Sequence, residues 1–154
     1  MSTMAPLQQT SKRVKGLIVP MFYPPQSVYE HVLSIEITGQ PARKSNSRRI
    51  VTNRKTKKPM IIKSEAALDY TDEFLRQVPG WAKLGLGGPD EPLLLHAEIY
   101  YKTNASDISV ELIKDLLQEA GVISNDRYVK AEMVFGRVDR DNPRAMLTIY
   151  RMVQ

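Results

Sequence analysis

Between residues 32 and 38 apolar and polar positions alternate, with Leu33, Ile35 and Ile37 separated by Ser34 and Glu36. Successive side chains of an extended chain point to opposite faces, so this pattern predicts a half-buried strand, stopped by Gly39-Gln-Pro41. The period then changes. Ser64 followed by Glu65 reads as a helix start, because a hydroxyl caps free backbone N–H groups and an acid favours the positive end of the helix dipole. Leu68, Thr71, Leu75 and Val78 fall on one helical face with Phe74 beside them, and Pro79-Gly80 ends the element. Gly85, Gly87, Gly88, Pro89 and Pro92 form a loop, with Trp81 expected to anchor its start in the core.

The clearest strand spans residues 93–101. Leu93, Leu95, Ala97, Ile99 and Tyr101 face one way; Leu94, His96, Glu98 and Tyr100 face the other. A second helix is predicted over residues 108–120, with Ile108, Leu112, Ile113, Leu116, Leu117 and Ala120 as its apolar stripe and Gly121 as its stop. Residues 128–138 and 145–152 read as two further strands joined by Asp139-Arg-Asp-Asn-Pro143, hence as a hairpin or a neighbouring antiparallel pair. The order strand, helix, strand, helix, strand, strand predicts a single α+β domain built on a mixed sheet of about four to five strands. Residues 1–30, rich in Ser, Thr, Gln and Pro, are expected to form a loosely ordered arm ahead of a domain covering 31–154.

Composition removes several classes of function. The 154 residues include no cysteine, which excludes disulfides, Cys-ligated zinc, iron–sulfur clusters and thiol nucleophiles. No segment approaches the roughly 20 apolar residues of a membrane span, and the short run from Gly16 to Phe22 is broken by Pro20, so a cytoplasmic protein is expected. His31 and His96 lack ligand-like spacing and read as structural, and no Gly-rich phosphate loop ending in Lys is present. No organic cofactor is implied.

Charge changes the picture more. The net charge is +5, but nine of the 22 Lys and Arg residues and no acidic residue lie between 43 and 63, so the remainder of the chain is net negative. Such a local patch suits a polyanion, since each neutralised phosphate releases condensed counterions. Arg43, Lys44, Arg48, Arg49, Lys57, Lys58 and Lys63 are the candidate phosphate contacts, on a loop with a short ribbon around residues 49–53 and 59–62. A solvated loop without a partner has the same composition.

The second charge feature is acidic. Asp107 stands where a strand hands over to a helix, Glu111 and Asp115 follow at steps of four on one helix face, and Asp126 lies just past the helix. A chain that reverses after the helix could return Asp126 to the side of Asp107. Converging carboxylates suit a hard cation such as Mg²⁺, for which Mn²⁺ can substitute. Such an ion polarises a phosphodiester and generates hydroxide at neutral pH. Each residue also has an ordinary role open to it. Asp107 suits a helix cap, Glu111 a pair with Lys114, Asp115 a surface position, and Asn125-Asp126 a turn.

Asp107 followed by Glu111, Leu112, Asp115, Leu116, Ala120-Gly121, Asn125-Asp126 and Val129 resembles the RusA family of Holliday junction resolvases, phage-type members above all. Residues 41–47 and 63–78 support the resemblance, which extends over about residues 32–152. It implies a homodimeric, Mg²⁺-dependent endonuclease that nicks two opposing strands of a four-way DNA junction, with a twofold dimer matching the junction's symmetry. Asp107 and Asp126 occupy positions of family metal-binding carboxylates. The best-known members carry an Asp where this chain has Ala105, a Lys where it has Glu111, and often an Asp where it has Asn125. The expected metal and catalytic set is therefore Asp107, Asp126 and Glu111, with Asp115 as a further ligand. The loss at Ala105 supports the alternative of a catalytically weak or inactive junction-binding module. A basic adaptor for other proteins is a third reading.

Overall fold

The computed structural model describes residues 28–43, 48–104 and 110–153, together with the backbone of a short antiparallel ribbon, β1 (Lys12–Val14) and β2 (Leu17–Val19). The folded unit is α+β. Its central sheet contains β3 (Tyr29–Thr38), β6 (Leu93–Tyr101), β7 (Val129–Val138) and β8 (Arg144–Met152), in the order β3-β8-β6-β7. A separate two-stranded ribbon is made by β4 (Arg48–Thr52) and β5 (Pro59–Lys63). Two helices, α1 (Glu65–Gln77) and α2 (Glu111–Glu119), cover one face of the sheet.

The alternation in the sequence builds this layer. Leu33, Ile35 and Ile37 of β3, Leu95, Ala97 and Ile99 of β6, and Ala145, Leu147 and Ile149 of β8 are all buried. They meet Tyr70 and Phe74 of α1 and Ile113, Leu116 and Leu117 of α2. At about 25 cal/mol per Å² of apolar area, this burial is the main favourable contribution to folding. The other face of the sheet carries Ser34, Glu36, Met146 and Thr148 and stays at least partly open.

Three sequence expectations are corrected. First, β7 and β8 do not pair. β6 lies between them, parallel to β7 and antiparallel to β8. Parallel neighbours need a crossover, and α2 supplies it. Residues 139–143 then pass over the end of β6, where Asp139 N–H donates to Tyr101 C=O at 2.8 Å. Five residues suffice to cross two strand spacings of about 4.8 Å each. Second, Trp81 is 61% exposed rather than buried, because the single 3₁₀ turn of Gly80–Ala82 directs Ala82 inward in its place. Third, α1 is rotated. Ala67, Tyr70, Thr71 and Phe74 are its buried residues, while Leu68 lies outside at 45% exposure.

The ends of the helices follow local chemistry. Ser64 Oγ accepts from Ala67 N–H at 3.2 Å and caps α1. Gly121, at φ +79°, takes the left-handed position after α2, and Val122 N–H donates to Leu117 C=O at 2.9 Å. The loop after α1 zips onto this turn: Gly85 N–H reaches Gly121 C=O at 2.9 Å, and Ser124 N–H reaches Leu86 C=O at 2.7 Å. At the centre of this seam Gly87 has φ +94°, and a Cβ there would stand 3.0 Å from both Leu93 Cδ1 and Tyr128 Cβ. Gly87→Ala combines backbone strain with overpacking and is expected to destabilise the fold by about 2–4 kcal/mol. Thermal unfolding checks this, and an unchanged midpoint would contradict the close packing.

Candidate nucleic-acid interface and acidic helix

The basic segment folds as a ribbon with its cations outward. β4 and β5 pair antiparallel from Arg48↔Lys63 at the base to Thr52↔Pro59 near the tip. Asn53 organises the turn: its Oδ1 accepts from Lys55 N–H at 2.9 Å and from Thr56 N–H at 3.2 Å, and Lys57 adopts φ +58°. Arg48, Arg49, Lys57 and Lys58 are exposed, Lys63 is half-buried, and Lys44 lies outside the described residues. Arg48 and Lys63 face each other directly across the ladder. Like charges in that relation are destabilising, and an anion between them would reverse the sign of the interaction. The Arg49–Glu65 pair, 3.6 Å apart and exposed, is weak.

Neutralising both Arg48 and Arg49 to Gln is expected to lower the slope of log affinity for DNA against log salt by about two, close to the roughly 0.9 per phosphate contact of duplex DNA. Binding titrations at several salt concentrations measure this directly. An unchanged slope would remove both side chains from the phosphate contacts.

The acidic residues are distributed along α2. Glu111 opens the helix and is exposed, with Val110 at the cap position; Asp115 is exposed one turn later. The helix thus begins three residues later than expected, and Asp107, Ala105 and Ile108 lie outside the described residues. Asp126 stands at the opposite end. It starts a 3₁₀ turn, Asp126–Tyr128, and its N–H donates to Gln118 Oε1 at 2.9 Å. The nine residues of α2 span about 13 Å at roughly 1.5 Å each. Glu111 and Asp126 therefore belong to the two ends of α2, because α2 carries the chain back to the end of the sheet where parallel β7 begins. Asp107, to whose side Asp126 is expected to return, lies outside the described residues. Among the described residues no group of three or more His, Asp or Glu side chains is placed to hold a metal ion. Lys114 pairs with Glu132 of β7.

The segments that lead into the two charge features leave the sheet at the same end. β3 and β6 point the same way, and the segments leaving them are tied together. Lys102 N–H donates to Gln40 Oε1 at 2.8 Å, and Arg43 Nη2 donates to Thr103 Oγ1 at 2.6 Å. Arg43 also sits 5.9 Å from the centre of the Tyr101 ring. The first cation of the basic segment is thus fixed against the connection between β6 and α2, the stretch that contains Asp107 and leads to Glu111.

Sequence reading missed a polar cluster beside this end. Arg144 donates to Asp139 Oδ2 at 2.7 Å, lies 3.7 Å from Glu36 and stacks 3.8 Å from the centre of the Tyr100 ring. The hydrogen bond from Arg144 holds the Asp139 carboxyl below its ordinary range, so this acid stays ionised. The signal was Asp139 and Arg144 at the two ends of the 139–143 connection, which reads as a turn until its path over β6 is known. Deeper in, burial pushes the Tyr70 phenol up and keeps it neutral. His31 Nε2 hydrogen-bonds Ser34 Oγ at 2.9 Å, and Ser34 Oγ lies 3.1 Å from Thr148 Oγ1, a chain across the open sheet face.

No known protein-family pattern matches this chain, and no curated protein sequence matches it. Among the described residues no helix is long and apolar enough to cross a membrane.

Proposed function

We propose that this chain is a metal-dependent, structure-selective endodeoxyribonuclease that acts on four-way DNA junctions as a homodimer, in the cytoplasm of a bacterial or phage-infected cell. The observation that carries the reading is the hydrogen bond from Arg43 to Thr103, which sets the basic segment against the acid-bearing β6–α2 connection. A phosphodiester held by the cations of the ribbon base would lie next to the carboxylates that open α2. The family resemblance of the segment from Asp107 to Val129 points to the same chemistry.

The donor set fits Mg²⁺ in part. Asp107 and Glu111 belong to the connection and to its helix, and their carboxylate oxygens are suitable ligands. Asp126, which starts the turn past the far end of α2, is the third carboxylate of the proposed set. Asp115, one turn along α2 from Glu111, is a further oxygen donor. When bound, Mg²⁺ supplies charge stabilisation at the phosphate and a hydroxide nucleophile. The basic residues hold the backbone, and Arg43 orients the segment between the two.

The test is cleavage of a synthetic four-way junction with Mg²⁺ or Mn²⁺, with linear duplex as the control substrate. Paired symmetric nicks that require the metal are the expected result. Tight junction binding with no cutting in either metal would favour the second reading, a non-catalytic junction-binding module. Ala105 in place of an Asp supports that reading.

A further inference from the structure

The ribbon presents apolar side chains where a solvated basic loop would not. Ile50 and Ile61 are directly opposed on the ladder and are 74% and 65% exposed. They share a face with Arg48 and Lys63 below them and with Thr52 and Pro59 above. The other face carries Val51 and Ile62, both half-buried, opposite exposed Met60 and Arg49 respectively. Ile50 and Ile61 are thus the most exposed apolar pair of the ribbon.

A two-stranded ribbon is marginally stable alone in water, and an open β-branched pair on it is an aggregation hazard unless something covers it. Charge identifies the cover. Residues 48–63 contain seven Lys and Arg and no acid, so an apolar protein surface reaching Ile50 and Ile61 would have to be strongly acidic around its rim. Duplex DNA meets both demands. Its major groove, about 12 Å wide and 8.5 Å deep, admits a two-stranded ribbon. Its walls are phosphates, and its floor exposes the C5-methyl group of thymine. Strands of five residues are about 17 Å long, enough to span the groove.

We propose that the β4–β5 ribbon enters the major groove of a duplex arm, with Ile50 and Ile61 against thymine methyl groups and the flanking cations on the phosphates. This rests on the nucleic-acid reading above and adds to it a base-facing contact, which makes binding sensitive to thymine content.

Anisotropy titrations in EDTA, where no metal-dependent cutting occurs, test it with an alternating dA–dT duplex and the same duplex carrying uracil for thymine. The full chain is expected to bind the uracil duplex roughly fourfold more weakly for each thymine methyl that no longer meets the ribbon, from about 0.8 kcal/mol per buried methyl-sized group. Ile50→Ser/Ile61→Ser is expected to bind both duplexes alike, at the weaker affinity, with an unchanged salt slope. Replacing thymine leaves the protein untouched, so the first comparison stands even if the variant folds poorly. Equal affinity of the parent chain for the two duplexes would overturn the proposal and leave a phosphate-only arm. A fall in sedimenting mass on Ile50→Ser/Ile61→Ser would overturn it in favour of contact between copies. No binding to any DNA would instead remove the nucleic-acid reading, and this inference with it.

Discussion

Asp107→Asn is expected to bind a four-way junction as tightly as the parent chain and to cut it at least about 10²- to 10³-fold more slowly, the loss typical of removing one preorganised charge contact to a transition state. The substitution keeps the side chain's shape and removes its negative charge, so a ligand role is lost while local packing is preserved. Gel assays of binding without metal and of nicking with Mg²⁺ separate the two effects. Equal cutting by the variant would remove Asp107 from the metal site. Glu111→Gln serves as a companion, because Glu111 opens α2 four residues after Asp107 in the sequence. Asp126→Asn reports on architecture. Asp126 is bound through its backbone to Gln118, far along α2 from Glu111. Loss of cutting in Asp126→Asn as well would place its carboxylate in the same metal set.

Strand alternation was the most legible part of the sequence. In β3 and β6 every second residue is apolar, and burial follows that period through Ile37 and Ile99. Ser64 and Gly121 were legible for a related reason, since a cap and a left-handed stop are decided by backbone groups within one turn. Order in the sheet was not legible. The stretch from Asp139 to Pro143 shows that the chain reverses, but a reversal does not say which strand the returning chain joins. That depends on β6, which takes a neighbour on each side. Exposed β7 takes one flank as an edge strand, and buried β8 takes the other. The position of Asp126 depends on the same gap, because it is set by the direction of β7, a long-range property that residue spacing does not encode. The ribbon's cations were evident from charge alone. Its exposed Ile50 and Ile61 were not, because the sequence did not show which face would be covered.

The register of α1 gives the second large effect. Phe74→Ala is expected to destabilise the fold by about 3–5 kcal/mol, and Leu68→Ala by no more than about 0.5–1 kcal/mol. Helical spacing alone puts Leu68, Thr71, Leu75 and Val78 on one stripe. The structure buries Ala67, Tyr70, Thr71, Phe74 and Val78, sharing Thr71 and Val78 with that stripe and turning Leu68 to its flank. Volume decides between them. Phe74 is fully buried, and its ring meets that of Tyr70 edge-on at 6.0 Å. The small Ala67 lets the helix approach the sheet where Leu68 would hold it off. Removing the Phe74 ring leaves a cavity in the layer between α1 and β3, whereas trimming Leu68 returns a partly solvated side chain to water. Urea unfolding with a shared m-value measures both losses. If Leu68→Ala proved the costlier change, α1 would be turned onto the leucine stripe, and the placement of the ribbon that leads into it would have to turn as well.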